Sequence, residues 1–219
     1  MWDWGFAFEI LPRLGRAAVV TLQATIIGYL LALIIGLVFA LLRRSQRRLI
    51  SMSAREVVEF IRSTPLLVQI YFVYFVLPEF GIALSAWVAG LLALGLHYGC
   101  YTSEVYRAGL DGVPKGQWEA ATALNLSIYR AYRDIILPQA IPPIVPALGN
   151  YLIGIFKETP LLSVIAIIEL LAQAKIIGSE TFRYLEPITL VGVFFLVMSL
   201  CAAALIRAVE HRLSRLIPS

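Results

Sequence analysis

Charged residues are scarce in this 219-residue chain. They make up 15% of it, whereas 60% of the residues are hydrophobic and the mean hydropathy is +0.83. This balance excludes an ordinary soluble domain and predicts an all-α integral membrane protein. The first ten residues, MWDWGFAFEI, carry acids and no basic segment, so we expect no cleaved signal peptide.

Residues that could carry catalysis are also few. The sequence has no G-x-x-x-x-G-K-[ST] phosphate loop, which excludes ATP hydrolysis by this chain. No Ser-His-Asp set and no metal-ligand cluster is evident, so we predict neither a catalytic nor a metal site. Cys100 and Cys201 both lie in apolar runs, which favours buried thiols over a disulfide.

Long apolar runs are abundant instead. A helix needs about 20 apolar residues to cross about 30 Å of hydrocarbon, so this length has room for roughly five spans in one domain. We predict a single transmembrane domain over residues 1–219, with a short amphipathic segment at 1–17 and an external loop at 172–186. The predicted spans are 18–42, 57–77, 82–103, 144–171 (broken near 157–160) and 187–206.

The basic residues predict the orientation. With the N-terminus outside and the C-terminus in the cytoplasm, 13 of the 18 Lys and Arg fall on inner segments, while the 14 acids divide seven and seven. Only basic residues are expected to show such a bias. Because they lie at the ends of spans, the net charge of +4 indicates lipid surroundings rather than a nucleic-acid partner.

The longest polar interval between spans, 111–140, has a helix–break–helix pattern. After a turn at Asp111 to Pro114, good helix formers predict a helix over Gln117–Leu124. Asn125 can end it in the left-handed conformation. Ser127 is then a candidate N-cap of a second helix, which we expect to stop near Pro138.

This interval resembles the cytoplasmic coupling loop of permease subunits of ATP-binding cassette (ABC) importers. That family's signature is Glu-Ala-Ala, three residues, Gly, nine residues and Ile-x-Leu-Pro. It is matched in register by Glu119-Ala120-Ala121, by Asn125 in place of the usual Gly, and by Ile135-Ile136-Leu137-Pro138. Further stretches resemble the polar amino-acid branch, which includes the histidine, glutamine and arginine permeases: 62–67 (RSTPLL), 114–117 (PKGQ) and 157–163 (KETPLLS).

The resemblance implies the type I ABC importer permease fold and a multi-pass protein of the bacterial inner membrane. It implies partners as well: a dimer of ATPase subunits that binds ATP and Mg, a second permease subunit (identical or a sister chain), and an extracytoplasmic solute-binding protein. No cofactor is then expected on this chain. The residues expected to couple to the ATPase are Gln117, Trp118, Glu119, Ala120, Ala121, Leu124, Asn125 and Pro138.

The fourth apolar stretch contains the polar triplet Lys157-Glu158-Thr159. Either the span ends at Phe156 and these residues meet outside water, or they lie at membrane depth beside the helix-breaking Pro160. Charges at membrane depth are costly and usually serve a pathway or a partner. We therefore predict that the triplet lines a substrate site, with Glu158 facing an ammonium-type group, Lys157 a carboxylate, and Thr159 either.

His97, inside the third predicted span, has two possible interpretations. A structural role is the simpler one, and a place in the substrate pathway is the other. A membrane enzyme or scaffold is the competing function class, but it requires a catalytic cluster that the sequence lacks.

The resemblance implies a small zwitterionic solute. The 87–98 and 156–160 stretches resemble permeases for ectoine and hydroxyectoine, which implies one of these solutes, with arginine, histidine, glutamine and glutamate as alternatives.

Overall fold

A computed structural model of the protein describes residues 2–214, with side chains up to residue 212, and most of these residues are helical. Within this part there is no strand, which agrees with the predicted all-α class. The α-helices are α1 (Trp4–Arg43), α2 (Arg48–Arg62), α3 (Leu66–Tyr71), α4 (Ala86–Asp111), α5 (Lys115–Ala123), α6 (Ile128–Arg130), α7 (Leu137–Glu158), α8 (Leu170–Thr181) and α9 (Leu185–Ser214). Arg215, counted among the inner basic residues, lies outside the described residues.

The first helix begins earlier than the sequence suggested. Residues 1–17 were expected to form a separate segment, but α1 runs unbroken for 40 residues and passes Pro12. Ile10 and Leu14 are buried in a cluster with α8 and α9, and this packing holds the N-terminal turns helical. Asp3 caps the helix by accepting hydrogen bonds from the N–H groups of Gly5 and Phe6.

The second predicted span, 57–77, is not one helix. The chain turns by 105° between α2 and α3, because Pro65 has no N–H to continue the ladder and its ring crowds the preceding turn. Beyond α3 the chain continues as a π-helical turn at Phe72–Val76 and a 3-10 turn at Leu77–Phe80.

Close packing of α1 against α4 forms the centre of the molecule. Gly36 is required there, because a Cβ atom on it would lie 2.0 Å from Thr102 Oγ1 and 2.8 Å from the Gly99 carbonyl oxygen. The Thr102 hydroxyl donates to the Ala32 carbonyl at 2.8 Å. Small residues thus bring the two backbones together, as is usual for helices packed in membranes.

The predicted stop at Pro138 is wrong. A π-helical turn at Ala131–Ile136 leads directly into α7, which then runs to Glu158. The wider π turn leaves room for the ring of Pro138 and spares the hydrogen bond that proline cannot donate. Proline therefore marks a change of helix type here rather than an end.

The predicted break near 157–160 is present. Helix α7 gives way to a 3-10 helix at Thr159–Ile165, which ends at Ala166 in the left-handed region. The predicted external loop at 172–186 is largely helical, because α8 begins there. The buried carboxylate of Glu169 caps α8 by accepting from the N–H groups of Leu171 and Ala172.

Three described helical stretches are long and apolar enough to cross a membrane, and the bent pair 48–62 and 66–80 would make a fourth span. Most of the predicted span 82–103 lies in α4, which begins four residues later, at Ala86, and continues to Asp111. That helix carries polar residues such as His97 and Thr102 along its buried faces. Five spans and their orientation stay predictions.

Candidate functional site

The break between α5 and the next helix is a complete Schellman motif. Asn125 has φ = 51°, which confirms the predicted left-handed helix end. Its N–H donates to the Thr122 carbonyl at 2.9 Å, and the N–H of Leu126 donates to the Ala121 carbonyl at 3.1 Å. Ser127 caps the following helix through the N–H of Arg130, as predicted.

The expected coupling residues divide between two faces of α5. Ala121 is buried, and the half-buried Trp118 packs edge-on against Tyr132 with ring centroids 5.3 Å apart. These two residues therefore fasten α5 to the rest of the chain. Leu124, three residues after Ala121, does not join this packing and is 70% exposed.

The outward face of the loop is available to a partner. It combines four of the expected coupling residues with two further exposed apolar side chains that sequence reasoning did not single out: Gln117, Glu119, Ala120 and Leu124, with Ile128 and Tyr129. Ile128 and Tyr129 begin the second helix, and only their exposure in the fold reveals them. Large apolar side chains around a single carboxylate make a surface typical of protein contacts.

A second candidate site is a cavity of about 520 Å³ between α4 and α7. Its lining combines aromatic rings, one carboxylate, one imidazole and one amide: His97, Tyr98, Tyr101, Val105, Ala147, Asn150, Tyr151, Gly154 and Glu158. An adjoining, more apolar cavity of about 410 Å³ shares Val105 and Ala147 with it. Together they follow one side of α7.

Glu158 is the charged group of this cavity. It ends α7, and its Oε2 atom is buried without a hydrogen-bond partner among the described residues. A buried carboxylate oxygen without a partner is costly unless something binds to it. Glu158 lines the cavity, and a donor that reached this oxygen would satisfy it.

The rings around Glu158 form a connected group. The imidazole of His97 lies 5.2 Å from the ring of Tyr101, and the ring of Tyr151 lies 6.0 Å from Tyr98 and 5.9 Å from Tyr101. Aromatic faces attract a cation that lies within about 6 Å of the ring centre. The cavity thus offers several groups to a positively charged ligand.

The predicted triplet does not act as a unit. Lys157 is exposed on another side of α7 and does not line the cavity. Thr159 is fully buried, and its hydroxyl donates to the Phe156 carbonyl at 2.8 Å. Of the four predicted pathway residues, the structure brings only Glu158 and His97 to the same cavity.

A network of charges adjoins this cavity. Glu104 accepts hydrogen bonds from Arg43 at 2.7 Å, Arg62 at 3.3 Å and Arg107 at 2.9 Å, which ties α1, α2 and α4 together. The guanidinium of Arg62 also lies 5.1 Å from the ring centre of Tyr101. This network connects the bend after α2 to the cavity wall.

No group of three or more His, Cys, Asp or Glu that could hold a metal occurs among residues 2–214. The two candidate sites are thus the exposed face of the loop and the cavity between α4 and α7. Neither brings together the groups of a hydrolytic centre.

Known proteins resemble the chain over nearly its whole length. It is 48% identical over 219 residues to a probable amino-acid ABC transporter permease protein of Sinorhizobium fredii, covering 98% of this chain and 95% of that relative. It is 33% identical over 212 residues to the arginine transport system permease protein of Bacillus subtilis, covering 96% and 97%. A putative glutamine transport system permease protein of Rickettsia conorii is 34% identical over 199 residues, covering 90% and 91%.

Solved structures agree. A crystal structure of an amino acid ABC transporter with histidines matches with a TM-score of 0.91 and 37% identity, covering 97% of this chain and 99% of that one. A methionine ABC transporter in an inward-facing conformation shares the fold, with a TM-score of 0.77 at 18% identity over 94% and 98% of the two chains. The family described as the inner membrane component of binding-protein-dependent transport systems matches residues 24–215. The chain therefore belongs to this family of multi-pass inner-membrane permease subunits, which work with a separate ATPase.

Proposed function

We propose that this chain is the permease subunit of an importer for a polar amino acid or an amino-acid-like zwitterion. The solute would arrive from an extracytoplasmic binding protein and pass through the cavity between α4 and α7. The relatives named for amino-acid, glutamine and arginine transport support this substrate class.

The observation that carries the proposal is the unpartnered Oε2 of Glu158 within a ring of aromatic side chains. A solute ammonium or amidinium would bind this oxygen and also lie against the faces of Tyr98, Tyr101 and Tyr151. Asn150, also in the lining, can donate to the solute carboxylate. In this account Lys157 and Thr159 support the helix end beside Glu158 rather than touch the solute.

We favour ectoine or hydroxyectoine as the solute. The positive charge of each is delocalised over a ring amidine, and a flat cation of this kind suits a cavity walled by aromatic rings. The neighbouring stretches 87–98 and 156–160 supported the same choice from sequence. Arginine, histidine, glutamine and glutamate are the competing solutes.

Coupling would take place at the outward face of α5. Glu119, Ala120 and Leu124 would enter a cleft on an ATPase subunit, and closure of the ATPase dimer would rock two permease subunits about the central site. The second permease would be an identical or a sister chain. ATP and Mg would bind to the ATPase, and the loop would lie in the cytoplasm with the N-terminus outside.

The test is a competition assay on the complete transporter in vesicles, with its binding protein. Each of the six solutes competes for uptake, and Glu158→Gln is compared with Glu9→Gln, a matched change at an exposed position of α1. We expect Glu158→Gln to lower uptake at least about tenfold, in line with loss of a charge-assisted hydrogen bond. Equal uptake by the two variants would refute the role of the cavity.

A further inference from the structure

Gln69 and His97 are two buried polar side chains that meet across α3 and α4. Gln69 Oε1 lies 3.2 Å from His97 Nδ1, and both residues are more than 90% buried. His97 also lines the cavity of Glu158, whereas Gln69 does not. A hydrogen bond between the two connects the cavity wall to the bend at Pro65.

The amide of Gln69 can lie in only one orientation. Its Nε2 atom lies 2.7 Å from the carbonyl oxygen of Ile61, 2.8 Å from Thr64 Oγ1 and 3.1 Å from the Thr64 carbonyl oxygen. Carbonyl oxygens only accept hydrogen bonds, so the nitrogen of the amide must face them. The Ile61 carbonyl is the one that would accept from residue 65 in a continuous helix, and Pro65 has no N–H to give.

The orientation of the amide determines where the proton of His97 lies. With the N–H bonds of Gln69 directed at the Ile61 carbonyl and at Thr64, Oε1 faces the imidazole, and Oε1 can only accept. Nδ1 of His97 must therefore carry the hydrogen. In a neutral imidazole one nitrogen then donates and the other accepts, which leaves Nε2 as an acceptor.

No hydrogen bond to Nε2 of His97 occurs among the described residues. The fully buried side-chain atoms that lack a partner in the described residues do not include Nε2 of His97. This nitrogen is therefore partly accessible. Since His97 lines the cavity, its acceptor is open to a ligand there. The cavity then contains two acceptors, Glu158 Oε2 and His97 Nε2, and both suit N–H groups.

We propose that Gln69 is a positioning residue, which holds His97 as the Nδ1–H tautomer so that Nε2 accepts a hydrogen bond from an N–H group of the transported solute. This inference rests on the proposed function of the cavity and adds the type of group that His97 recognises. It also predicts selectivity for solutes that carry at least two N–H donors. The same amide completes the bend between α2 and α3, so the bend and the solute site depend on one side chain.

The test is ¹⁵N NMR of the complete transporter in lipid, with only this chain labelled at histidine and no polyhistidine tag. The chain has two histidines, so a spectrum of His211→Gln leaves the signals of His97 alone. We expect a protonated Nδ1 and an unprotonated Nε2 in the wild type without solute. An Nε2–H tautomer or an imidazolium would overturn the proposal, and this result needs no change at Gln69.

A variant at Gln69 tests whether its amide determines the tautomer of His97. Gln69→Met keeps the volume and removes the amide, so His97 should no longer hold the Nδ1–H tautomer. Gln139→Met is the matched control, because its amide also donates to a carbonyl, that of Ile135 at 2.7 Å, without contacting His97. A His97 spectrum in Gln69→Met identical to the wild type would refute the role of Gln69.

Transport separates this proposal from the one on which it rests. For the solute that competes best in the six-solute assay, we expect Gln69→Met to raise the half-saturating concentration about tenfold, the effect of one misplaced hydrogen bond. Normal half-saturation in Gln69→Met, with uptake still lost in Glu158→Gln, would overturn the tautomer proposal alone. Normal uptake in Glu158→Gln would instead overturn the proposed role of the cavity in transport. The NMR spectrum would still show which tautomer His97 adopts.

Discussion

Asn125 ends α5 with a positive φ of 51°, which lets its own N–H and that of Leu126 each satisfy a helix carbonyl. Asparagine tolerates this conformation, glycine adopts it more easily, and a β-branched residue fits it poorly. The departure from the family's glycine at this position therefore leaves the geometry of the loop intact.

Changes at Asn125 should follow this order. Asn125→Gly should assemble and transport as the wild type does, whereas Asn125→Val should lose about 1–2 kcal/mol of local stability. The loop would then be displaced, and less ATPase should co-purify. Co-purification and uptake of the two variants provide the measurement. Equal behaviour of Gly and Val would show that Asn125 is not the break between the helices.

The side chain of Asp3 is a second residue that stabilises the fold through its hydrogen bonds. It accepts hydrogen bonds from the N–H groups of Gly5 and Phe6 and from Arg183. The backbone hydrogen bond from Phe6 and the one from Arg183 hold the pKa of Asp3 below its ordinary value. This contribution to stability is complete above the ordinary pKa of about 3.9 and is lost as the pH falls through the lowered value.

Hydrogen exchange at the amide of Phe6 should report this loss. Protection, corrected for intrinsic exchange, should fall in the wild type as the pH is lowered below 4 or thereabouts. Asp3→Asn keeps the cap but has no charge to lose, so its protection should not change over that range. Parallel profiles of wild type and Asp3→Asn would contradict the role of ionised Asp3.

At the scale of elements, local patterns predict local features. The capping by Ser127 and the break after Glu158 depend on residues close together in sequence, and both are present. The meeting of Arg43 with Glu104, 61 residues apart, depends on how α1 packs against α4. No spacing in the sequence indicates it.

The features of the helices that the sequence did not predict share one cause, which is backbone hydrogen bonding. Pro138 and Pro65 can both break a helix, yet of these two only Pro65 bends the chain. The π-helical turn before Pro138 accommodates the proline ring, so the helix continues. Likewise Glu169 looked like part of an apolar run, although its carboxylate caps α8. Backbone hydrogen bonding decided each case, and composition does not specify it.

Contact between α1 and α4 gives a prediction at this scale. Gly36→Ala should destabilise the protein by several kcal/mol, about the upper end for overpacked cores, because its Cβ meets a backbone carbonyl as well as Thr102. Gly15→Ala is the control in the same helix, since nothing lies within 4 Å of its added Cβ. Thermal unfolding in detergent measures both. A Gly36→Ala variant as stable as Gly15→Ala would contradict the packing.

At the scale of the whole molecule, the sequence predicted the class and the loop better than the cavity. The coupling motif is one continuous stretch, so its register could be recognised and Glu119 expected to face a partner. The cavity needs Glu158 and His97 from different helices, and Tyr101 and Tyr151 between them. Adjacent residues such as Lys157 and Thr159 were wrongly grouped with Glu158, because neighbours on a helix point in different directions.

The most direct test of the account is charge reversal at Glu119, an exposed side chain on the outward face of α5. Glu119→Lys and the control Glu56→Lys, an equally exposed carboxylate on α2, are each reconstituted with the ATPase, the second permease and the binding protein. Uptake and co-purifying ATPase are measured together. The account predicts that Glu119→Lys reaches the membrane but loses both, while Glu56→Lys keeps both. Normal uptake with normal ATPase association in Glu119→Lys would contradict it.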